Sequence, residues 1–452
     1  MPEGICHRIA AVPLLALTGL HLLLSSFLLG YYQHLDFWTR LALFIAIGAC
    51  SYAISDRIDE SSSPRERRLV WATIIAIVMV AVAFPFRGSN DLWSYHTYGR
   101  LFAIHHLSPY THTPADIPGD FAAGHVNDVW RNTTSVYGPS FIWIAGAIAK
   151  VAGTSELAMR LGHQLLAALS WGLALFVVRN TTALSRIALI ALCPPVWLVI
   201  NSGHNDLLVG VALLLAALAL TRRWWMVAAG LAAFAATIKA TAGIAVFGMA
   251  VWILRRHGWK PCLGFTSTAA GAVILVGAPF GTSVTSALSS NSVIVGGPTP
   301  WRPVLAVLYP IASACGIEHH DVTTVVARIA LMITIGVMVA VVVRPANTHH
   351  DLTLRSTAVY QATALWIMPW YWGWALPSLL GSPRSAITDW SMLHMMWITA
   401  LALAPKSEHV TMTSAVVVGV SYVGSVLALW RLRRSFHADS LTTNGVSYDS
   451  SN

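Results

Sequence analysis

The sequence predicts an all-α protein built as a polytopic transmembrane helical bundle. Of the 452 residues, 56% are hydrophobic and only 10% are charged, and the mean hydropathy is +0.63. These charges are too few to cover the surface of a soluble protein of this length. Lipid must therefore cover most of the surface of this protein. Apolar runs of about 20 residues, the length that crosses a bilayer, recur along the chain. These runs are continuous rather than alternating, which excludes a β-barrel.

The apolar runs set the order of the predicted helices. The first, at about 9–31, is too long for a signal-peptide core and lacks a small-residue cleavage site, so we interpret it as an anchor. Further runs lie at about 37–55, 68–86, 138–153, 156–178, 184–202, 204–221, 224–240, 241–255, 262–280, 302–314, 322–343, 356–380, 386–404 and 410–430. Because several are short or broken, we expect about 11–14 crossings within one domain at 1–436. The polar, Ser-rich segment 437–452 is expected to be a disordered cytoplasmic tail.

The basic residues predict the orientation in the plasma membrane. The net charge of +9 is spread over short loops, the pattern of the positive-inside rule, so we expect no nucleic-acid partner. The basic loop 56–68 is predicted to be cytoplasmic, and one crossing later the loop 87–137 is predicted to face the outside. The turn 179–186 is also predicted inside, which requires an odd number of crossings after the loop. Two apolar runs occupy that span, so one of them is predicted to be re-entrant or interfacial.

Polar chemistry is concentrated in the segment 87–110. Asp91 lies at the predicted membrane edge. The other polar side chains of the segment are Tyr95, His96, Tyr98, Arg100, His105 and His106. A carboxylate at this depth can act as a general base if partial burial raises its pKa. The alternative for Asp91 is a helix N-cap, because Asp followed by Leu-Trp suits a short interfacial helix.

Other polar groups interrupt the later apolar runs. Lys239, at membrane depth, is expected to be paired or to line a cavity, with snorkelling as the alternative. Arg302 is predicted to face outside and either binds phosphate or marks a helix start. The triplet His204-Asn205-Asp206 caps a helix or hydrogen-bonds a sugar.

Two further sets of side chains have a simpler interpretation. The aromatic residues of one cluster belong to an interfacial belt, or form a stacking floor for a sugar or a groove for prenyl units. They are Trp366, Trp370, Tyr371, Trp372 and Trp374. Three acids of the loop are expected to be solvated, namely Asp116, Asp120 and Asp128. The five cysteines show no disulfide or metal spacing.

Several short segments together resemble a known family. They are Asp91-Leu-x-x-Tyr-x-x-Tyr-Gly-Arg with His-His-Leu-Ser-Pro-Tyr, Val136-Tyr-Gly-Pro-Ser-Phe, Gly203-His-Asn-Asp-Leu-Leu, Ala236-Thr-Ile-Lys-Ala and Met368-Pro-Trp-Tyr-Trp-Gly-Trp. In order and spacing, over roughly residues 66–380, they resemble GT-C membrane glycosyltransferases, most of all actinobacterial α-mannosyltransferases that use polyprenyl-phosphate-mannose. The chain departs from many relatives in having two helices before the one that precedes the acid. It also has Asn90-Asp91 where many relatives carry an acidic pair.

The resemblance implies a GT-C bundle whose first large exoplasmic loop carries short interfacial helices and the catalytic base, Asp91. It implies transfer of a hexose, mannose by this resemblance, from a polyprenyl-phosphate-sugar donor to a glycolipid or polysaccharide acceptor outside the membrane. A β-linked donor then yields an α-linked product by one inverting displacement. The predicted donor-phosphate ligands are Arg100, His105, His106, Lys239 and Arg302. The predicted sugar and acceptor ligands are Tyr95, Tyr98, His204, Asn205, Asp206, Trp370 and Tyr371.

A single lipid phosphate carries little charge, so cationic side chains suffice to stabilise it and we expect neither a metal nor a cofactor. Two other function classes stay open. A secondary transporter would predict inverted repeats and midplane charges, and the sequence has no repeat at domain scale. A non-catalytic lipid-binding subunit is the alternative if Asp91 has no role in catalysis.

Overall fold

The computed structural model describes residues 13–87, 89–290, 296, 299–344, 349–403 and 412–445. Among these residues the regular structure is α-helix and short 3-10 helix, and β-structure is limited to one isolated bridge between Gly296 and Trp366. The predicted all-α class is therefore confirmed. The chain divides into two compact units, and the assignment of 1–436 to one domain stays a prediction.

The first unit takes in the described residues within 1–292, 345–353 and 370–381. Its helices are α1 (Leu14–Tyr31), α2 (Phe37–Asp56), α3 (Pro64–Ala83), α4 (Asp91–Ala103), α5 (Asp128–Arg131), α6 (Pro139–Ala152), α7 (Glu156–Val178), α8 (Leu184–Ala191), α9 (Pro194–Asn201), α10 (Asp206–Thr221), α11 (Trp225–Ile238), α12 (Gly243–His257), α13 (Trp259–Gly277) and α14 (Ser283–Ser290). The start of α3 precedes its apolar residues because Ser63 and Glu66 form a capping box around Pro64.

The second unit takes in the described residues within 293–344, 354–369 and 382–452. Its helices are α15 (Trp301–Ala314), α16 (His319–Val342), the later part of α17 (His349–Thr363), α19 (Ala386–Ala402) and α20 (Met412–Gly445), whereas α18 (Leu376–Gly381) belongs to the first unit. The indole of Trp390 donates to Ser425 Oγ at 2.9 Å and ties α19 to α20. The last helix ends at Gly445, inside the segment predicted to be a tail. The cytoplasmic placement of that segment stays a prediction.

Five helical segments are long and apolar enough to cross a membrane. They are Leu14–His34, Phe37–Asp56, Glu156–Val178, Trp259–Phe280 and His319–Val341. The pair α8 and α9 adds a sixth if it is one span bent by 54°, and the described part of the chain has four shorter apolar helices of 10–17 residues. The chain is thus a multi-pass membrane protein. The crossing number of about 11–14 stays a prediction.

The run 356–380, expected as one apolar helix, is broken, so that expectation was wrong. Helix α17 ends at Thr363, a 3-10 helix follows at Pro369–Trp374, and α18 begins at Leu376. Proline lacks an amide hydrogen and disfavours helix at the residue before it, so Pro369 and Pro377 interrupt the helix. The pair Pro194-Pro195 divides the run 184–202 into α8 and α9 in the same way.

Helix α4 carries four residues of the predicted site, Asp91, Tyr95, Tyr98 and Arg100, and is fixed by close backbone contact. A Cβ on Gly99 would lie 2.4 Å from the carbonyl oxygen of Ala145, so only glycine lets α4 approach α6 at this point. The entry to α4 is held by Asn201, whose Nδ2 donates to the carbonyl of Ala81 at 2.9 Å and whose Oδ1 accepts from the amide of Arg87 at 2.9 Å. These contacts set the position of Asp91.

Candidate active site

Asp91 is the first residue of α4, and its side chain is 22% exposed. The N-cap residue is Asn90, whose side chain makes no capping hydrogen bond. Asp91 is therefore not the N-cap residue of α4. A negative charge at this end of a helix interacts favourably with the helix dipole.

His204 is a basic side chain close to Asp91. Its Nδ1 lies 3.9 Å from Asp91 Oδ2 and 3.0 Å from the hydroxyl of Tyr95, and its ring stacks on Trp370 with centroids 4.1 Å apart. Tyr95 and His204 are both fully buried. Burial, followed by the neighbouring phenol of Tyr137 and then the charge of Asp91, raises the pKa of Tyr95 well above its usual range. The Tyr95 hydroxyl therefore keeps its proton and orients the imidazole beside the carboxylate.

Lys239 and Asp206 form a buried ion pair. Lys239 Nζ lies 2.5 Å from Asp206 Oδ1, and the same oxygen accepts from the indole of Trp374 at 2.6 Å. The ammonium also lies 4.2 Å from the ring centroid of Tyr371, which stacks on Trp374. Lysine at this depth is therefore paired, as its position predicted, and does not snorkel.

Two glycines allow close backbone contact beside this ion pair. A Cβ on Gly210 would lie 2.2 Å from the carbonyl oxygen of Gly373, and a Cβ on Gly373 would lie 2.7 Å from Asp206 Cβ. The start of α10 and the 3-10 helix Pro369–Trp374 therefore touch backbone to backbone. This contact brings Trp370 and Trp374 to the triplet His204-Asn205-Asp206, which sequence spacing alone does not show.

Asn205 occupies the N-cap position of α10, but its side chain makes no capping hydrogen bond. The residue is 1% exposed, and within the described part of the chain neither its Nδ2 nor its Oδ1 has a hydrogen-bond partner. The second carboxylate oxygen of Asp206, Oδ2, is also buried without a hydrogen-bond partner among the described residues. Buried polar atoms are nearly always satisfied, so this group of atoms is suited to a polar ligand.

Asp120 is buried, so the expectation that it is a solvated loop acid was wrong. It receives Arg100 Nε at 2.8 Å and His105 Nε2 at 2.7 Å. Burial opposes its charged form, but the bonds from His105, the Ala122 amide and Arg100 outweigh this and lower the pKa of the Asp120 carboxyl. Asp116 and Asp128 are exposed, as expected.

The cluster around Asp120 closes the 87–137 loop onto α4. Arg100 Nη1 also donates to the carbonyl of Gly153 at 2.6 Å, so its guanidinium links the loop to the end of α6. Arg100 and His105 are thus engaged with protein groups, and their role as phosphate ligands stays a prediction. The sequence carries no signal for this cluster, because Arg100 lies 20 residues before Asp120 and 53 residues before Gly153.

Three other predicted ligands lie elsewhere. His106 is exposed and has a positive φ of 55° just after α4. Tyr98 is buried, and its hydroxyl donates to the carbonyl of Thr133 at 2.8 Å. Arg302 is the second residue of α15 and belongs to the second unit. The phosphate and sugar roles assigned to these residues stay predictions.

Sequence reasoning missed three polar residues beneath the site. Gln164 Nε2 donates to the carbonyl of Asn201 at 2.6 Å, and both amides hold the entry to α4. His163 is buried with its ring centroid 5.9 Å from that of Tyr95. The available signal was the presence of polar residues inside apolar runs, since such groups are costly unless they are bonded.

Within the part of the chain that the structure describes, no three His, Cys, Asp or Glu side chains are grouped closely enough to hold a metal ion. The metal-independence of the chemistry stays a prediction. The arrangement offers the partly exposed carboxylate of Asp91 and, beside it, the imidazole of His204, which is hydrogen-bonded to Tyr95. It also offers the buried ammonium of Lys239.

These features define a multi-pass helical membrane protein with a carboxylate, an imidazole and an ammonium gathered near the starts of α4 and α10. The chain belongs to the family described as alpha-(1->6)-mannopyranosyltransferase, N-terminal domain, whose model matches residues 6–256. The protein is therefore a membrane glycosyltransferase, and the resemblance noted from its motifs is confirmed.

Two relatives extend the match beyond that domain. An alpha-(1->6)-mannopyranosyltransferase A of Corynebacterium glutamicum is 27% identical over 364 residues, which cover 72% of this chain and 73% of that protein. An alpha-(1->6)-mannopyranosyltransferase A of Mycobacterium tuberculosis is 28% identical over 376 residues, which cover 75% and 69%. Both matches are longer than the N-terminal domain that the family model describes.

Proposed function

We propose that this protein transfers mannose from a polyprenyl-phosphate-mannose donor to a glycan acceptor, a glycolipid or polysaccharide, on the exoplasmic side of the plasma membrane. The relatives' names support mannose as the sugar and an α-(1→6) bond as the product. The observation that carries the proposal is the partly exposed carboxylate of Asp91, 3.9 Å from the buried imidazole of His204.

The reaction is a single displacement at the anomeric carbon. The acceptor hydroxyl oxygen forms a bond to that carbon while the bond from the carbon to the phosphate oxygen breaks, and the leaving polyprenyl phosphate takes the electron pair. Asp91 receives the hydroxyl proton as general base. Since one displacement inverts the configuration, a β-linked donor gives an α-linked product.

Lys239 is the cation proposed to stabilise the leaving phosphate, which gains one negative charge in the step. Its charge is shared with Asp206, so its three N–H donors, rather than a full positive charge, are what it offers. Arg302, Arg100, His105 and His106 are assigned to the phosphate from the sequence alone. Testing each of these four residues separately would show which of them is needed for donor binding.

The sugar is proposed to lie against Trp370, with Asn205 as a hydrogen-bond partner for its hydroxyls. Trp370 is the ring on which His204 stacks, and Asn205 offers one buried donor group and one buried acceptor. Tyr371 and Tyr95 complete the proposed wall of this pocket, and Tyr98 is assigned to the sugar from the sequence alone. An amide that hydrogen-bonds sugar hydroxyls discriminates strongly against analogues that lack them.

Helix lengths support the exoplasmic side. Helix α6 has 14 residues and is about 21 Å long, short of the roughly 30 Å of a bilayer core, whereas α7 has 23 residues. If α7 is the one full crossing between the 87–137 loop and the turn 179–186, the two lie on opposite sides. The basic turn is then inside and Asp91 outside.

A reconstituted assay tests the proposal. The purified protein in lipid vesicles is given polyprenyl-phosphate-mannose labelled in the sugar together with a mannan-type acceptor, and the product linkage is read by NMR. We expect an α-(1→6)-linked product. In vesicles whose 87–137 loop faces out, we expect no product when the donor is added only to the lumenal side. Labelled donor that crosses the bilayer without any transfer would instead support a transporter.

The base is tested in the same assay with Asp91→Asn, which keeps the shape of the side chain and removes its basicity. Loss of a positioned base is worth about 10²–10⁴ in rate. The matched control is Asp116→Asn, an exposed acid of the same loop, which we expect to keep near-normal transfer. Asp91→Asn with near-normal transfer would refute the assignment, and lost wild-type activity in chelator would refute metal-independence alone.

A further inference from the structure

A groove opens on the surface of the first unit where the end of α7 meets the turn between α10 and α11. Its volume is about 440 Å³, and its apolar wall includes Leu215, Leu218, Val227 and Leu231. Two arginines, Arg179 and Arg222, complete the lining. We call this feature the α7/α10/α11 groove.

The groove lies far from the candidate active site along the same helices. Helix α10 begins at Asp206, in the site, and lines the groove with Leu215, Leu218 and Ala219, which lie 9–13 residues further along. At 1.5 Å per residue, they lie about 14–20 Å along the helix axis from Asp206. Helix α11 returns from the groove toward Lys239, so the two features lie at opposite ends of this helix pair. The groove is therefore not part of the proposed transfer site.

The surface around the groove is apolar, aromatic and exposed. Phe176 is 62% exposed, Trp224 is 54% exposed and Val227 is 51% exposed. In a multi-pass membrane protein, exposed apolar side chains on the outside of a bundle face lipid. Exposed tryptophan at the end of such a face is typical of the level of the lipid headgroups. The groove therefore extends from the headgroup level into the apolar region.

Both arginines are held at the headgroup end by aromatic rings. The guanidinium carbon of Arg179 lies 3.6 Å from the ring centroid of Phe176, and that of Arg222 lies 5.2 Å from the ring centroid of Trp224. Arg179 Nη1 also donates to the carbonyl of Phe176 at 2.7 Å. Within the described residues neither guanidinium has a carboxylate within ion-pair distance, so no described carboxylate neutralises their charges.

The turn that presents Arg222 has an uncommon backbone. The next residue, Arg223, has a positive φ of 59°, a conformation that glycine favours. The amide of Trp224 closes the turn by donating to the carbonyl of Ala219 at 2.9 Å. This tight turn keeps Arg222 and Trp224 together at the end of the groove.

We propose that the α7/α10/α11 groove binds one anionic phospholipid. Its acyl chain lies along Leu215, Leu218 and Leu231, and its phosphate lies between Arg179 and Arg222. The apolar wall on a lipid-facing surface favours a lipid over a water-soluble anion. The two guanidinium groups favour an anionic headgroup over a zwitterionic one, because each basic side chain near an anionic lipid surface contributes about fivefold in affinity.

The test measures lipid binding by the full-length protein in detergent after lipid removal. Phosphatidylglycerol, phosphatidylcholine and inorganic phosphate are added separately, and bound lipid is counted by native mass spectrometry while thermal unfolding is followed. A ligand that binds only the folded state raises the unfolding temperature with its concentration. We expect one bound phosphatidylglycerol and a raised unfolding temperature, and smaller effects from the other two.

Three variants make the test specific. The double variant Arg179→Gln with Arg222→Gln is expected to bind phosphatidylglycerol about 25-fold more weakly, which is two arginines at about fivefold each. Leu218→Trp fills the groove without changing charge and should also lose the bound lipid. The matched control, Arg65→Gln with Arg68→Gln, removes two exposed charges at the start of α3 and should bind as the wild type does.

Several results would overturn the proposal. They are equal binding of phosphatidylcholine and phosphatidylglycerol, unchanged binding by the double arginine variant, protection by inorganic phosphate alone, and a change of oligomeric mass in Leu218→Trp without loss of lipid. Because the readouts are lipid binding and unfolding, they do not depend on the transfer reaction.

Discussion

The ion pair of Lys239 and Asp206 leads to a quantitative prediction. Asp206 is fully buried, and Lys239 Nζ lies 2.5 Å from its Oδ1. Lys239→Met keeps the length of the side chain but removes the ammonium. The buried carboxylate of Asp206 keeps its hydrogen bond from the indole of Trp374. Removing one partner of a buried ion pair costs about 3–5 kcal/mol. The hydrogen bond from Trp374 that remains offsets about 1 kcal/mol of this cost. We expect a loss of about 3 kcal/mol.

A second substitution separates the lost attraction from the stranded charge. Asp206→Asn in the Lys239→Met background removes the charge, and its side-chain oxygen can still accept from Trp374. We therefore expect the double variant to regain about 2 kcal/mol of the loss, a coupling that a double-mutant cycle measures. Asp206→Asn alone leaves an unpaired buried ammonium and should be destabilised as strongly as Lys239→Met.

The assay is unfolding in mixed micelles with increasing dodecyl sulfate, with mannosyl transfer measured on the same samples. Lys150→Met, an exposed lysine on α6, is the control and should lie within about 0.5 kcal/mol of the wild type. If Lys239 also stabilises the leaving phosphate, the double variant will be stable and inactive. Unchanged unfolding of Lys239→Met would refute the buried ion pair, and normal transfer by the double variant would refute the phosphate role.

Three further predictions concern the loop and its packing. Asp120→Asn should cost about 3 kcal/mol in unfolding, because it leaves the buried guanidinium of Arg100 without its carboxylate, and an equal stability of both proteins would contradict the cluster. Burial, and then the charge of Arg100, lowers the pKa of His96 to about 4. Since the unfolded chain binds more protons between that value and about 6.5, stability should fall as the pH falls through this window, by about 2 kcal/mol at pH 5. His96→Phe should flatten that pH dependence of the unfolding midpoint, and a curve parallel to wild type would contradict it. Gly99→Ala should cost at least about 1–3 kcal/mol by overpacking, whereas Gly172→Ala, with open space at its Cβ, should be neutral or stabilising in the same unfolding measurement.

The sequence by itself determined the class of fold and located the segment that we propose carries the chemistry. Membrane helices must satisfy their own backbone and expose apolar side chains, so their signal lies in consecutive residues and survives without tertiary information. For the same reason the helices α1, α2 and α7 follow their predicted runs closely. Asp91 and Lys239 were also found locally, because each is a charged residue at an apolar boundary or inside an apolar run.

Only the tertiary structure decided which groups are partners. The approach of Gly210 to Gly373 brings Trp374 to Asp206 across more than 160 residues, and no periodicity records that contact. Asp120 looked like a solvated acid because its neighbours in sequence are Pro and Gly, yet its burial is set by Arg100, which lies on another element. Hydrogen bonds and ion pairs depend on distances in space, so the pairing of polar side chains follows from packing, whereas the run of apolar residues follows from the sequence.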